Sequence, residues 1–325
     1  MNSQAIEQSI AYHRDHRIGE SEAIQYGFRD AGRDTDFDEE GAPLMAPRRE
    51  MLLVKSPEDD PVFGRAVEAA RIATAGLNSF QVVDYLNDYV DRLLKKNDPS
   101  VNMKLLDRLA GASGAASVEI SLGQLIEAKT GVCRHRSLLF KALADQLGLR
   151  SALVRGNYIR RGVDRTAAGG DDIGGHAWNE VLFENGERLL VDTMHNFVAE
   201  LTDPLIASYS DVWNKPLYPM AGKPETSRDA ANPIPSVRDT DWIWVTSPSG
   251  GRSAYAYLDA LSESERRRLR RALKSHAIRY DRHKTSYGSS KGKRPVLRVR
   301  GVAQILLKRL GAEYSREAPE PLRAS

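Results

Sequence analysis

Apolar positions follow two rhythms along this chain, and the change of rhythm divides it. From Pro61 onward, Val62, Ala66, Ala69, Ala70 and Ile72, then Val82, Val83, Leu86, Val90 and Leu93, recur at the three-and-four spacing of amphipathic helices. Two helices are predicted, broken near Gly76 to Ser79, with a third short helix over Val101 to Leu109 and a small-residue loop over Gly111 to Ser117. Leu138, Leu139, Ala142, Leu143 and Leu147 form another helical stripe, which Gly148 is placed to end from the C′ position. Beyond it the pattern turns to strands: Ser151 to Arg155, His176 to Phe183, and Arg188 to Asp192. The last two flank Glu184-Asn185-Gly186-Glu187, whose Asn-Gly pair is a hairpin signal, and Gly156 to Gly175 reads as a polar loop.

The flanks are poorer in pattern. Residues 1 to 60 are polar and acidic, with Asp34, Asp36, Asp38, Glu39 and Glu40 ahead of Pro43 and Pro47, a composition that predicts an arm or a loosely docked leader. Residues 214 to 250 are rich in proline and linker-like, interrupted by Trp242-Ile243-Trp244-Val245, a short strand by composition. Residues 251 to 325 predict a basic, mainly helical extension. In it, Ser262-Glu263-Ser264-Glu265 resembles a helix cap opening Ser262 to Arg279, Lys284 to Lys293 is loop-like, and Val299 to Leu310 is a last helix. Residues 61 to 213 are left as the patterned domain, and no internal repeat is visible. The expected class is α+β.

Composition changes this picture at one point: a single cysteine among 325 residues excludes a disulfide scaffold and a Cys-rich zinc site. Cys133 is a spare buried side chain, an accidental intermolecular partner, or a nucleophile. The first residues, with Glu7, His13, Arg14, Asp15 and His16, contain no apolar core of a secretory signal, and no stretch approaches 18 apolar residues, at a mean hydropathy of -0.47. A cytoplasmic protein is expected, with signal-less secretion left open. The net charge of +3 hides an asymmetry, since residues 251 to 325 hold 19 Lys and Arg against 7 Asp and Glu while the body is acidic. Such halves attract each other, or the basic part meets phosphate or an acidic partner. The run Arg266-Arg267-Arg268, Arg270-Arg271, Lys274 has no base-reading motif or aromatic interleaving, so specific nucleic-acid recognition is not supported.

Cys133 falls in the first turn of the predicted helix, where the macrodipole favours thiolate, and Arg134, His135 and Arg136 add positive charge beside it. A thiol nucleophile needs an imidazole, and the imidazole an orienting group; His176 and Asp192, sixteen residues apart across a hairpin, supply such a pair. This carries a geometric condition. A two-residue Asn185-Gly186 turn would set Asp192 opposite Asn179, on the face away from His176, so a triad predicts a three-residue loop or a bulge.

Gly131-Val132-Cys133-Arg134-His135-Arg136-Ser137-Leu138-Leu139-Phe140-Lys141-Ala142-Leu143-Ala144-Asp145, followed by Val154-Arg155-Gly156, resembles the peptidase-like domain of plant ethylene-response kinases and of an armadillo-repeat protein. Gly175-His176-Ala177-Trp178-Asn179-Glu180-Val181 and Leu190-Val191-Asp192 resemble the His and Asp motifs of the wider transglutaminase-like superfamily. The resemblance covers roughly residues 62 to 200. It implies a papain-like core, in which a helical bundle carrying the cysteine packs on an antiparallel sheet, with Cys133 as nucleophile, His176 as base and Asp192 as orienter. The backbone N–H of Cys133 is one oxyanion donor; the second is the amide of Gln124 or a backbone group. Trp178 is a wall of the cleft or plain core. His135 on its helix turn suits a structural hydrogen bond. Arg155 and Asp145 suit ion pairing as well as substrate binding. His195 lacks ligand spacing with His176, so neither metal nor cofactor is expected.

The expected activity is a cysteine-dependent amide hydrolase or acyl-transferase on a protein or peptide substrate, working through a Cys133 thioester. Proteolysis is favoured, with deamidation or cross-linking as variants set by the acceptor. A catalytically silent peptide-binding module and a secreted effector acting on target proteins are the alternatives.

Overall fold

The computed structural model describes residues 3–33, 50–94, 119–160, 172–201, 204–218, 242–246, 252–258, 261–263, 265–267, 269–270, 281–285, 294–300 and 316–317. The expected helix at Val101 to Leu109 and loop at Gly111 to Ser117 lie outside them. The chain forms two compact units, Met1–Met194 with Leu205–Pro219, and His195–Pro204 with Met220–Ser325.

The first unit is α+β. The helical stripes after Pro61 become α2 (Pro61–Thr74) and α3 (Ser79–Leu93), following α1 (Ser3–Asp15). Asp60 starts α2 by accepting from Phe63 N–H, and Asn78 starts α3 through a reciprocal cap with Gln81. Two further helices follow, α4 (Leu122–Ala128) and α5 (Cys133–Gln146). Gly148, at φ +72°, ends α5, and Leu149 N–H returns to Ala144 O at 2.9 Å, a Schellman closure. The face of α5 that carries Leu138, Leu139, Phe140 and Leu143 is fully buried.

The main sheet of this unit contains β1 (Arg17–Ile18), β5 (Ser151–Arg160), β6 (Asp172–Leu182) and β7 (Arg188–Asp192) in that order, all antiparallel, with β9 (Tyr209–Ser210) pairing β5 beyond the end of β1. A small second sheet joins β2 (Arg29–Asp30), β3 (Met51–Leu53) and β4 (Glu119–Ser121). The strands β5 and β6 run well into the stretch read as a loop from Gly156 to Gly175. Gly156 sits opposite His176 in the ladder, and a Cβ there would meet Ser210 O at 2.1 Å and the Trp178 ring at 2.6 Å. The glycine marks a close approach of chains within a sheet.

The acidic leader also differs from a loose arm. Tyr12, Ile18, Phe28, Leu52 and Val54 are buried, and its polar composition hides counter-ions: Asp30 and Glu50 are buried against cations of the patterned domain. Residues 34–49 are outside the described set.

The second unit holds β8 (Phe197–Glu200) and a five-stranded sheet of β10 (Trp242–Thr246), β11 (Arg252–Tyr257), β12 (Asp281–Thr285), β13 (Arg294–Arg300) and β14 (Arg316–Glu317), in the order β12-β13-β11-β10-β14. Trp242 to Val245 is the expected strand, and Ser262 with Glu265 forms the expected reciprocal cap. Of the extension expected to be mainly helical, the described residues include four strands, while 271–280 and 301–315 lie outside the described set. The alternation of Ala254 and Ala256, both fully buried, is a strand period, and the stripe read as a helix from Val299 begins inside β13. Among the described residues, no helix is long and apolar enough to cross a membrane.

Candidate active site

Cys133 is the first residue of α5 and is half-buried. His176 on β6 and Asp192 at the end of β7 are both buried, with 7% and 0% exposure. The hairpin decides whether the last two meet. Phe183 N–H donates to Glu187 O at 2.9 Å and Gly186 N–H to Phe183 O at 3.0 Å, so Glu184-Asn185-Gly186 is a three-residue loop, with Gly186 at φ +84°. The ladder therefore pairs Asn179 with Val191, which sets Asp192 across from Trp178 on the face that carries His176. Asp192 Oδ2 lies 2.7 Å from His176 Nε2. The Cys133 thiol interacts with the same imidazole.

This contact orders the charges. Burial works against an imidazolium at His176, but the Asp192 carboxylate and then the Cys133 thiolate hold its proton on, up to about 10. Burial likewise pushes the Cys133 thiol up, and the His176 charge and hydrogen bond outweigh it, with a further donation from Ala177 N–H, so the thiol is lowered. The pair favours thiolate and imidazolium together.

The cations of the Cys motif do not supply that field. Arg134 donates to Asp30 O at 3.2 Å and to Glu50 O at 2.7 Å, and its guanidinium pairs with both carboxylates. Arg136 pairs with Asp91 at 2.9 Å and donates to Thr193 O at 3.1 Å. His135 Nδ1 accepts from Val132 N–H at 2.9 Å, which makes Nε2 the protonated nitrogen facing Glu50 at 2.6 Å. Burial, its leading influence, pushes His135 down. Arg155 donates to Asp30 at 2.5 Å, and Asp145 pairs with Lys141 at 2.8 Å. These side chains fasten the leader and α5 to the sheet.

Gln124 is exposed, and its side-chain oxygen accepts from Ser121 N–H at 2.8 Å in the cap of α4; none of its described hydrogen bonds reaches Cys133. Trp178 has 0% exposure, its ring 6.1 Å from that of His176, so it packs beneath the imidazole as core. Its Nε1 donates to Tyr218, whose hydroxyl donates to Glu180 at 2.6 Å. His195 belongs to the second unit. A surface groove of about 390 Å³, lined by Arg71, Thr74, Gln146 and Leu147, sits at the C-terminal end of α5, the opposite end from Cys133.

One residue at the site carries no motif: Tyr209 donates to Asp192 Oδ2 at 2.7 Å. A two-residue strand is too short to display alternation, so its place emerges only once β9 pairs with β5.

Residues 41–196 match the sequence model of the EDR1/CTR1/ARMC3 peptidase-like family, a span that contains Cys133, His176 and Asp192. Armadillo repeat-containing protein 3 of Homo sapiens is 43% identical over 60 residues, which is 18% of this chain and 5% of that protein. The segment thus resembles the peptidase-like domain whose motifs it carries, and the aligned stretch spans a small fraction of that relative's length.

Proposed function

We propose that the first unit is a thiol-dependent amide hydrolase or acyl-transferase of the papain-like, transglutaminase-like kind, acting on a protein or peptide. The observation that carries this reading is the setting of His176, whose Nε2 lies 2.7 Å from Asp192 while the imidazole and the Cys133 thiol drive each other toward imidazolium and thiolate. The Cys133 thiolate attacks the amide carbonyl, and the C–N bond breaks as imidazolium passes its proton to the leaving amine. The resulting thioester is opened by an acceptor from which His176 takes a proton. Water as acceptor gives proteolysis or deamidation, and an amine gives cross-linking; proteolysis is preferred on the family resemblance. Cys133 N–H, at the start of α5, is the first oxyanion donor.

A silent peptide-binding module is the second reading, favoured by the engagement of Gln124 in a helix cap, which leaves the second oxyanion donor to another group. Intact-mass spectrometry with a peptide p-nitrophenyl ester separates the two. An acyl adduct on the single cysteine that turns over in water supports the enzyme. Saturable peptide binding with no adduct, or an adduct released neither by water nor by an added amine, supports the module.

A further inference from the structure

We propose that Tyr209 is a positioning residue of this site, whose hydroxyl, by donating to the Asp192 oxygen that also holds His176, sets how firmly the imidazole keeps its proton. The proposal rests on the Cys-His-Asp reading above and adds a fourth side chain to it. Tyr209 is 2% exposed and lies beyond residue 196, where the family match ends, so no motif of the matched segment contains it.

Sheet register brings it in. Tyr209 pairs with Tyr158 across β9 and β5, and Gly156 pairs with His176 across β5 and β6, so Tyr209, Tyr158, His176 and Trp178 share one face with Asp192. The His176 ring lies 6.0 Å from Tyr209 and 5.6 Å from Tyr158. Among the described residues of the first unit, the titratable groups around the imidazole include Cys133 from α5, Tyr158 from β5, Asp192 from β7 and Tyr209 from β9, with Tyr218 next to Tyr209 from the following loop. Asp192 Oδ1 is held by Met194 N–H at 3.0 Å, while Oδ2 serves both Tyr209 and His176. Burial and the Asp192 charge hold the phenol protonated well above its ordinary range, so it remains a donor wherever the site works.

Two donors on one carboxylate oxygen divide its charge between them. Without the hydroxyl, Asp192 presents more charge to the imidazolium, which then releases its proton at higher pH and gives it less readily to a leaving amine. A ring that merely packed would serve equally well without its oxygen.

Paired alkylation kinetics test this. Iodoacetate, an anion, is favoured over neutral iodoacetamide beside an imidazolium, and the preference fades as the ring deprotonates, so the rate ratio against pH reports the proton on His176. In Tyr209→Phe the midpoint of that ratio is expected to rise by about half to one pH unit. Site-specific replacement of Tyr209 by 3-fluorotyrosine, a stronger donor of nearly the same shape, is expected to move it down; if the Phe variant does not fold, this arm decides. A midpoint unmoved by the folded variants overturns the proposal and leaves Tyr209 as packing. A wild type with no iodoacetate preference at any pH refutes the ion pair itself, and the proposal falls with it.

Discussion

His135 meets Glu50 at 2.6 Å and His176 meets Asp192 at 2.7 Å, yet their surroundings drive the two imidazoles in opposite directions. His135 is buried beside Arg134, and its second nitrogen is occupied by Val132 N–H; it stays neutral and passive. His176 is equally deep, but it interacts with a thiol that can ionise, and the proton is held rather than shed. A buried histidine–carboxylate pair is thus not in itself a catalytic device. The neighbour beside the imidazole decides which way its proton is driven.

The comparison can be broken from either side. The largest expected effect is on chemistry: His176→Ala lowers turnover of an activated ester by about 10³-fold or more in the folded fraction, beyond what its loss of stability accounts for. Glu50→Ala, at the passive pair, does the reverse. It takes away one of Arg134's two buried carboxylates and the partner of His135 Nε2, and urea unfolding should register a loss of about 3–5 kcal/mol while Cys133 in the folded fraction alkylates at the wild-type rate.

pH sharpens the contrast. Glu50 is held at about 2 by the His135 hydrogen bond and Arg134, which overcome burial, and His135 is held below its ordinary value. The unfolded chain therefore binds more protons in acid, and this stability, intact above about pH 6.5, is lost as pH falls through the carboxylate range. His176 keeps its proton up to about 10, so its contribution is intact at low pH and drains as pH climbs toward that value. Stability measured from pH 2 to 10 should show a shallower acid limb in Glu50→Gln, steepest in its difference below about pH 4.5, and a shallower alkaline limb in His176→Gln. The smallest effect belongs to Gln124→Ala, about 1 kcal/mol of stability from the lost α4 cap, with alkylation of Cys133 unchanged.

What could be read from the sequence follows from the same physics. Cys133, His176 and Asp192 stand in motif blocks, and even the need for an unusual hairpin was deducible, because strand periodicity fixes faces before any coordinates exist. Asp30 and Glu50 were not legible as partners of Arg134, since a buried counter-ion and a solvated acid look alike in a polar leader. Gly156 looked like a loop for a related reason: the atoms it must clear, Ser210 O and the Trp178 ring, are distant in sequence. Tyr209 had no local pattern at all.

The central claim is that Cys133 and His176 form an activated pair, and the single cysteine makes intact-mass labelling its most direct test. Iodoacetamide labelling across pH 4 to 9 should be fast at pH 6 in wild type and slow there in His176→Ala. Labelling of the wild type that rises only near the ordinary thiol value of about 8.5, or that ignores the loss of His176, would contradict the account.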